Sequence, residues 1–424
     1  MTHHQRVAQH VLRARMATLS LPLVALAACG QAGVEPTAAP DLVATDVKGA
    51  VAVLDLPHET TPNVEEAARV SDEIAWRVIQ NTEGDNRLTS PSSLSMSMAQ
   101  AAEGAQTVSL QSFDDILGLT GDDRAKAFGA LRQALAPYDS LPDEVDVDDP
   151  PESPVVHQAS RVLAVDATVE QPFLDRLAEF YDAAAAQSPR AEAQASLDEW
   201  VNLHTAGLIE KSGVKVKPNT VAVLQDAVLF AAAWRTPFEQ ERKVPFTGPA
   251  GAGQVDGVSG IVTARLAEGD GWTAVRLPYD DNLAADVVLP DEGTGPEELA
   301  AEDLEAATAA LNDASEQQVM VVMPSFDLKS KTDLMEALPE IDLSDLSGIF
   351  PGGYGEQWVQ QVILQVSAKG TVGAAVTELA VAESAPMLDG VFEVDRPYVL
   401  RVLDTRTGWP LFLASIADPA ANAG

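Results

Sequence analysis

Apolar residues recur at helical spacing from Val64 onward, at Ala67, Ala68, Ile74, Ala75 and Val78. A second helical pattern runs from Ser92 to Ala102 behind Ser and Pro start signals. Both segments predict core-facing helices. Later in the chain, short apolar runs predict strands at Val221 to Phe230, Ala284 to Leu289, Gln318 to Phe326, Val359 to Ser367, Val394 to Leu403 and Leu411 to Ala417. Helical patterns come first and strands later, a segregation that suits an α+β fold. Between Leu141 and Pro154, Asp143, Glu144, Asp146, Asp148, Asp149 and Glu152 stand among prolines, which predicts a solvated insertion. These acids lack the glycine turn and spacing of a calcium loop.

One stretch has a different character. Gly370, Thr371, Val372, Gly373, Ala374, Ala375, Val376 and Thr377 form a run of small residues that leads through an irregular segment to Asp395-Arg396-Pro397-Tyr398. As a strand, it would place Thr371, Gly373, Ala375, Thr377 and Leu379 on one face without charge and almost without bulk. Such a face can enter a sheet over a packed core without overpacking it. Gly and Ala are poor strand formers in isolation, so the segment is expected to rest as an exposed loop and to gain ladder hydrogen bonds only on insertion.

This hinge, with the downstream Asp395-Arg396-Pro397-Tyr398, resembles the reactive-centre loop of the serpin family. Asn86 to Met96 resembles the family's Asn-x-x-x-Ser-Pro-x-Ser helix start, with Gly104-Ala105 closing that helix. Leu197-Asp198-Glu199-Trp200-Val201-Asn202 and Thr205-Ala206-Gly207-Leu208-Ile209 are similar to a further pair of family motifs. So are Trp234-Arg235-Thr236-Pro237-Phe238, Leu277-Pro278-Tyr279, Val288 to Glu292, Met323-Pro324-Ser325-Phe326 and Leu411-Phe412-Leu413-Ala414. The ordered matches cover roughly residues 62 to 419. The resemblance implies the serpin fold, with three β-sheets, about nine helices and an exposed reactive-centre loop.

It also implies particular sites. Ser90 and Ser93 match the serines of the network that holds the central sheet closed, while Asp226 and Gln360 stand where the family has an asparagine and a histidine. These two departures are either a compensated pair within hydrogen-bond reach of each other, or independent changes in contact with water. Trp234 matches the tryptophan at the top of the sheet, where the loop would come in. The family's loop length puts the reactive bond at Ser384-Ala385, with 382 to 388 as the bounds. A Ser384-Ala385 bond suits a protease with a small side-chain pocket, and Met387 or Leu388 a chymotrypsin-like one. Thr371→Arg is expected to leave the fold intact and to convert inhibitor into substrate.

The implied function is a suicide-substrate inhibitor of serine proteases. It traps an acyl-enzyme when the cleaved loop inserts into the central sheet. The alternative is a non-inhibitory serpin acting as a cell-surface binding or scaffold lipoprotein. Enzymatic activity is not expected: His58, His157 and His204 lie in no Gly-x-Ser-x-Gly or zinc-ligand setting. No cofactor and no metal are implied, and a monomer is expected.

Composition refines this picture. The 424-residue chain is read as one large domain over 62–419 with a short tail at 420–424, because the motifs are spread evenly and no linker divides them. The first 28 residues carry three arginines and no acid, and an apolar run from Ala17 to Ala28, the layout of a secretory signal. Without them, 24 basic residues face 64 acidic ones, a net charge of −40. That charge disfavours nucleic acid and charge-driven binding to anionic lipid. Leu26-Ala27-Ala28-Cys29 resembles a bacterial lipobox that would make Cys29 a lipidated first residue; the other reading is an ordinary Ala25-Leu26-Ala27 cleavage. Cys29 is the only cysteine, so no intrachain disulfide forms. Residues 29–61 read as a lipidated cysteine followed by a flexible tether. The expected location is outside the cell, either secreted or held on the envelope through the lipid alone.

Overall fold

The computed structural model describes residues 45–47, 49–146, 149–372 and 388–421. Eight α-helices are present among them: α1 (Val64–Asn81), α2 (Pro91–Gly104), α3 (Thr107–Leu117), α4 (Gly121–Ala134), α5 (Gln171–Tyr181), α6 (Arg190–His204), α7 (Ala301–Asp313) and the single turn α8 (Leu334–Ala337). The amphipathic pattern of α1 is fulfilled, since Ala67, Ala68, Ile74, Ala75 and Val78 are all buried. Ser90 caps α2 through its hydroxyl, with Pro91 at the first helical position, where a missing N–H costs nothing. The helix ends at Gly104, where a Cβ would meet Ile349 Cγ1 at 2.3 Å, and Ala105 turns into extended backbone.

The strands are β1 (Thr45–Val47), β2 (Asn86–Thr89), β3 (Val155–Val165), β4 (Ala184–Ser188), β5 (Ala222–Ala233), β6 (Gln240–Gly248), β7 (Gly251–Gly269), β8 (Trp272–Pro278), β9 (Leu283–Pro290), β10 (Glu316–Pro324), β11 (Phe326–Asp333), β12 (Val359–Val366), β13 (Gly370–Thr371), β14 (Gly390–Glu393), β15 (Tyr398–Asp404) and β16 (Pro410–Ile416). Seven form a sheet in the order β1-β4-β3-β5-β13-β12-β11. The others follow the path β14-β10-β7-β8-β9-β15-β16-β2, with β6 paired to β7. The 19-residue β7 is shared. Its residues 251–259 pair β6, 257–265 pair β10 and 265–269 pair β8, so two of the three implied sheets run into each other through one strand. The fold is the expected α+β arrangement. Strands β9, β15 and β16 are buried along their whole length, as layers covered on both faces require.

Two expectations change. The strand predicted over Val394 to Leu403 begins only at Tyr398, because Pro397 just before it offers no ladder N–H. The tether predicted to reach Thr61 is partly folded. β1 pairs antiparallel with β4, Ala50 N–H donates to Asp175 Oδ1 (2.7 Å), Leu54 N–H donates to the Glu179 carbonyl (2.7 Å), and Leu56 is buried in the main core.

Candidate functional site

Among the described residues, the inner strands β5 and β12 meet only through β13. Gly370 pairs with Ala233 and Thr371 with Ala232 on one side, and Thr371 pairs with Val366 on the other. Beyond that point, among the described residues, β5 pairs only with β3 and β12 only with β11. A cavity of ≈ 110 Å³ follows the opening, between Leu224 to Val228 on one bank and Val359 to Ile363 on the other. Ser93 of α2 lies in its floor, and Trp200 and Val201 of α6 and Thr205 just after it lie along it.

The head of this slot is tightly built. Trp234 is buried, donates Nε1–H to the Ser367 carbonyl (2.9 Å) and stacks on Tyr279 with centroids 4.6 Å apart and planes 11° from parallel. Phe238 meets Trp234 edge-on at 6.0 Å. The turn joining β12 to β13 is fixed from outside: Trp234 N–H donates to Lys369 O (2.8 Å) and Phe238 N–H to Ala368 O (2.9 Å). Lys369 also pairs with Asp149 at 2.9 Å, and Ala233 N–H donates to Pro151 O, so the end of the acidic insertion braces the sheet. Gly370 is obligatory here, since a Cβ would lie 2.1 Å from Ala232 O. Thr371 is 1% exposed. The sequence expectation that Thr371→Arg spares the fold is therefore corrected: the position is already inside the sheet, and an arginine would bury an unpaired guanidinium in the resting protein.

Lower in the slot, Asp226 and Gln360 face it from opposite banks and do not bond to each other, which corrects the compensated-pair expectation. Gln360 is held by the segment that leads into α2. Its Oε1 accepts from Thr89 Oγ1 (2.6 Å) and Ser90 N–H (3.1 Å), and its Nε2 donates to Ser90 O (2.9 Å). Ser90 Oγ donates to Leu411 O (2.8 Å), which ties this network to β16. Asp226 Oδ2 instead accepts from Ser160 Oγ of β3 (2.5 Å). Ser93 and Gln158 lie close enough to favour its ionised form, yet Oδ1 is enclosed and makes no hydrogen bond. Burial pushes the Asp226 carboxyl up to about 7, the hydrogen bonds only partly offsetting it. The banks stand apart, so each group pairs on its own side.

The remaining predicted site residues, Gly373, Ala374, Ala375, Val376, Thr377, Ser384, Ala385 and Cys29, lie outside the described residues. Sequence reasoning missed Thr89, Ser160 and Tyr279 as partners of the slot, although Thr89 and Tyr279 lay within quoted motifs. Among the described residues, no group of three or more His, Cys, Asp or Glu side chains is arranged to hold a metal ion.

The protein is thus an α+β body whose main sheet holds the short strand β13 between two inner strands. The profile of the serpin (serine protease inhibitor) family matches residues 65–419, and the chain belongs to that family. An uncharacterized serpin-like protein of Thermococcus kodakarensis is 28% identical over 358 residues, 79% of this chain and 81% of that protein. Iripin-3 of Ixodes ricinus is 28% identical over 371 residues, 80% of this chain and 90% of its own. Among solved structures, the thermophilic serpin tengpin in its native state matches with a TM-score of 0.73 at 19% identity, covering 88% of this chain and 99% of that one. Thyroxine-binding globulin in complex with thyroxine matches at 0.70 and 20% identity, covering 84% and 99%. At these identities the structural matches establish the fold.

Proposed function

We propose that this chain is a suicide-substrate inhibitor of serine proteases, cut in the segment after Val372 and trapping the acyl-enzyme as the cut segment fills the slot. The observation that carries the reading is the register. Six steps down both ladders from the Thr371 pairs with Ala232 and Val366 would bring Thr377 opposite Asp226 and Gln360 at once. Residue 377 shares a strand face with 371, so its hydroxyl would reach the level of the unpartnered Asp226 Oδ1 and of the Gln360 amide. The two departures from the family pattern thus acquire a shared partner. Inserted as a strand, Gly373, Ala375 and Thr377 would give a small, uncharged inward face.

Strand pairs at about 0.2 to 1 kcal/mol per cross-strand contact, over roughly a dozen residues, drive the change together with buried surface. Distorting the bound protease's oxyanion hole slows deacylation about tenfold for each 1.4 kcal/mol lost. The reactive bond is assigned to Ser384-Ala385 within 382 to 388, which suits proteases with small side-chain pockets. Cys29 is proposed as a lipid anchor that holds the protein on the envelope.

The test is incubation with a panel of serine proteases. It is expected to give a complex stable in boiling detergent, a released peptide whose mass fixes the cut bond, and a marked rise in melting temperature after nicking. Cleavage without a stable complex and with coincident melting curves would overturn the proposal and favour a non-inhibitory surface protein.

A further inference from the structure

Helix α6 lies over β3 and β5, and its two halves are fastened differently. Near its start, Ala193 and Leu197 pack against Leu163, Val165 and Val223, an apolar contact insensitive to pH. Its last two turns, which border the slot through Trp200 and Val201, are held by polar and aromatic contacts. The Arg161 guanidinium sits 5.1 Å from the Trp200 ring, and Trp200 lies 4.4 Å from the ring of His204. His204, the last residue of α6, meets His157 of β3 with Nδ1 2.8 Å from His157 Nε2. The other nitrogen of His157 bonds to Asp139 Oδ1 at 2.6 Å. The two imidazoles are 5° from parallel with centroids 5.1 Å apart.

A nitrogen-to-nitrogen bond of this kind holds one proton. Asp139 accepts from His157 Nδ1–H, so the facing nitrogens share a single hydrogen, one ring donating and the other accepting. With Asp139 on Nδ1, a charged His157 still keeps the bond by donating Nε2–H to the bare Nδ1 of a neutral His204; a further proton placed on that Nδ1, taken from water, puts N–H groups on both facing atoms, abolishes the bond and sets two cations against each other. We propose that the His157–His204 contact is an acid-released latch that holds the C-terminal end of α6 over the slot.

The surroundings of His204 resist its protonation. Burial, then the charge on His157, then Arg161 lower its pKa to about 4, and only Asp139 opposes them. Of the other elements against α6, β5 presents the uncharged Gln225, β4 carries no ionisable residue, and the 3-10 turn at Pro142–Glu144 carries the exposed Asp143 and Glu144. Closed, the latch favours neutral His204; open, the ring regains an ordinary pKa of about 6.5. Acidification from about pH 6.5 to 4 therefore favours release, by up to about a hundredfold in the opening equilibrium. In combination with the insertion reading, freeing α6 would clear the lower slot for an incoming strand.

The test uses the full-length chain and amide hydrogen exchange, with rates corrected for the intrinsic effect of pH. This readout does not depend on inhibition, so it can fail or succeed separately from the proposed function. Protection over residues 197–205 is expected to fall about a hundredfold more than that of the first turn of α6 between pH 7.5 and 4.0. His204→Gln, which keeps an uncharged amide at the contact, is expected to hold protection at pH 7.5 within about threefold and to lose the extra fall at pH 4.0. An equal fall in wild type and variant, or no fall in wild type, overturns the latch. Should the variant not fold, a ring-nitrogen NMR titration of wild-type His204 decides, and a midpoint near 6.5 overturns it.

Discussion

Thr371 Oγ1 lies 2.5 Å from Tyr279 Oη, beneath the stacked ring of Trp234. This bond fastens the first inserted residue to the core below the sheet, so the start of the loop is a settled part of the fold. Tyr279→Phe leaves the buried Thr371 hydroxyl without that partner and should cost about 1 to 2 kcal/mol. A lowered urea midpoint with faster exchange of the Val372 amide, which donates to Gln365 O (3.1 Å), would register it.

Gly370→Ala should be more severe. The new Cβ would stand 2.1 Å from Ala232 O and 2.8 Å from Ala233 Cα, both rigid backbone. β13 is expected to leave the sheet, and proteolysis near residue 371 should quicken at least tenfold. Unchanged protection of the Thr371 and Val372 amides would contradict this account. Thr371→Arg should expel the same strand by placing an unpaired cation in the core.

Asp226 makes stability depend on pH in a defined direction. Its carboxyl titrates near 7 in the fold against an ordinary 3.8, so the native state holds the proton more tightly than the unfolded chain. Its stabilising contribution is full below about pH 4, fades as pH rises toward 7 and is absent above, at about 1.4 kcal/mol per unit and a few kcal/mol at most. Asp226→Asn should therefore gain on the wild type from pH 4 to about 7 and level off above it in urea unfolding. A difference that is flat with pH would count against the buried carboxyl.

Arg124 is 2% exposed and joins helices α2, α3 and α4 by pairing with Glu103 (3.1 Å) and Asp114. Arg176 and Tyr181 of α5 meet the same Glu103 at 2.8 and 3.0 Å. Arg124→Ala removes one partner of Glu103, which keeps Arg176 and Tyr181, and takes the paired cation from Asp114; it should cost about 1.5 to 3 kcal/mol, read from the denaturation midpoint.

Deleting residues 1–56 tests the folded part of the tether. It removes the buried Leu56 side chain, worth about 1.5 to 3 kcal/mol, and uncovers the β4 edge. Loss of stability within that range is expected, and a midpoint equal to that of the full chain would show that the segment contributes nothing.

Much of this fold was legible where the hydrophobic period was strong. The apolar positions of α1 are buried as spaced, and the runs at Val221, Ala284 and Leu411 became β5, β9 and β16 within three residues at their ends. Strand β3 was not visible, because His157, Gln158, Ser160 and Arg161 give it polar residues on both faces. One face meets α6 and the other the floor around Asp226, and neither demands an apolar side chain. β7 was hidden by glycines at 251, 253, 257, 260 and 269, which suit a long bending strand shared between sheets but carry no pattern. At the site, sequence resemblance brought Asp226 and Gln360 into view, yet not their partners. Gln360 bonds a threonine 271 positions away, and Asp226 a serine 66 away, separations that no local spacing encodes.

The direction of β1 has a consequence for how the molecule stands. Thr45 pairs with Gln187 beside the lower rim where Ser188 meets Val165, while Gly370 meets Ala233 at the upper rim, a β5 length of roughly 40 Å away. Whatever holds the chain through the residues ahead of Thr45 therefore grips it by its base. On the proposed function, a severed segment travelling down the slot from Gly370 would move away from that upper rim and toward the end of the sheet where Thr45 enters it.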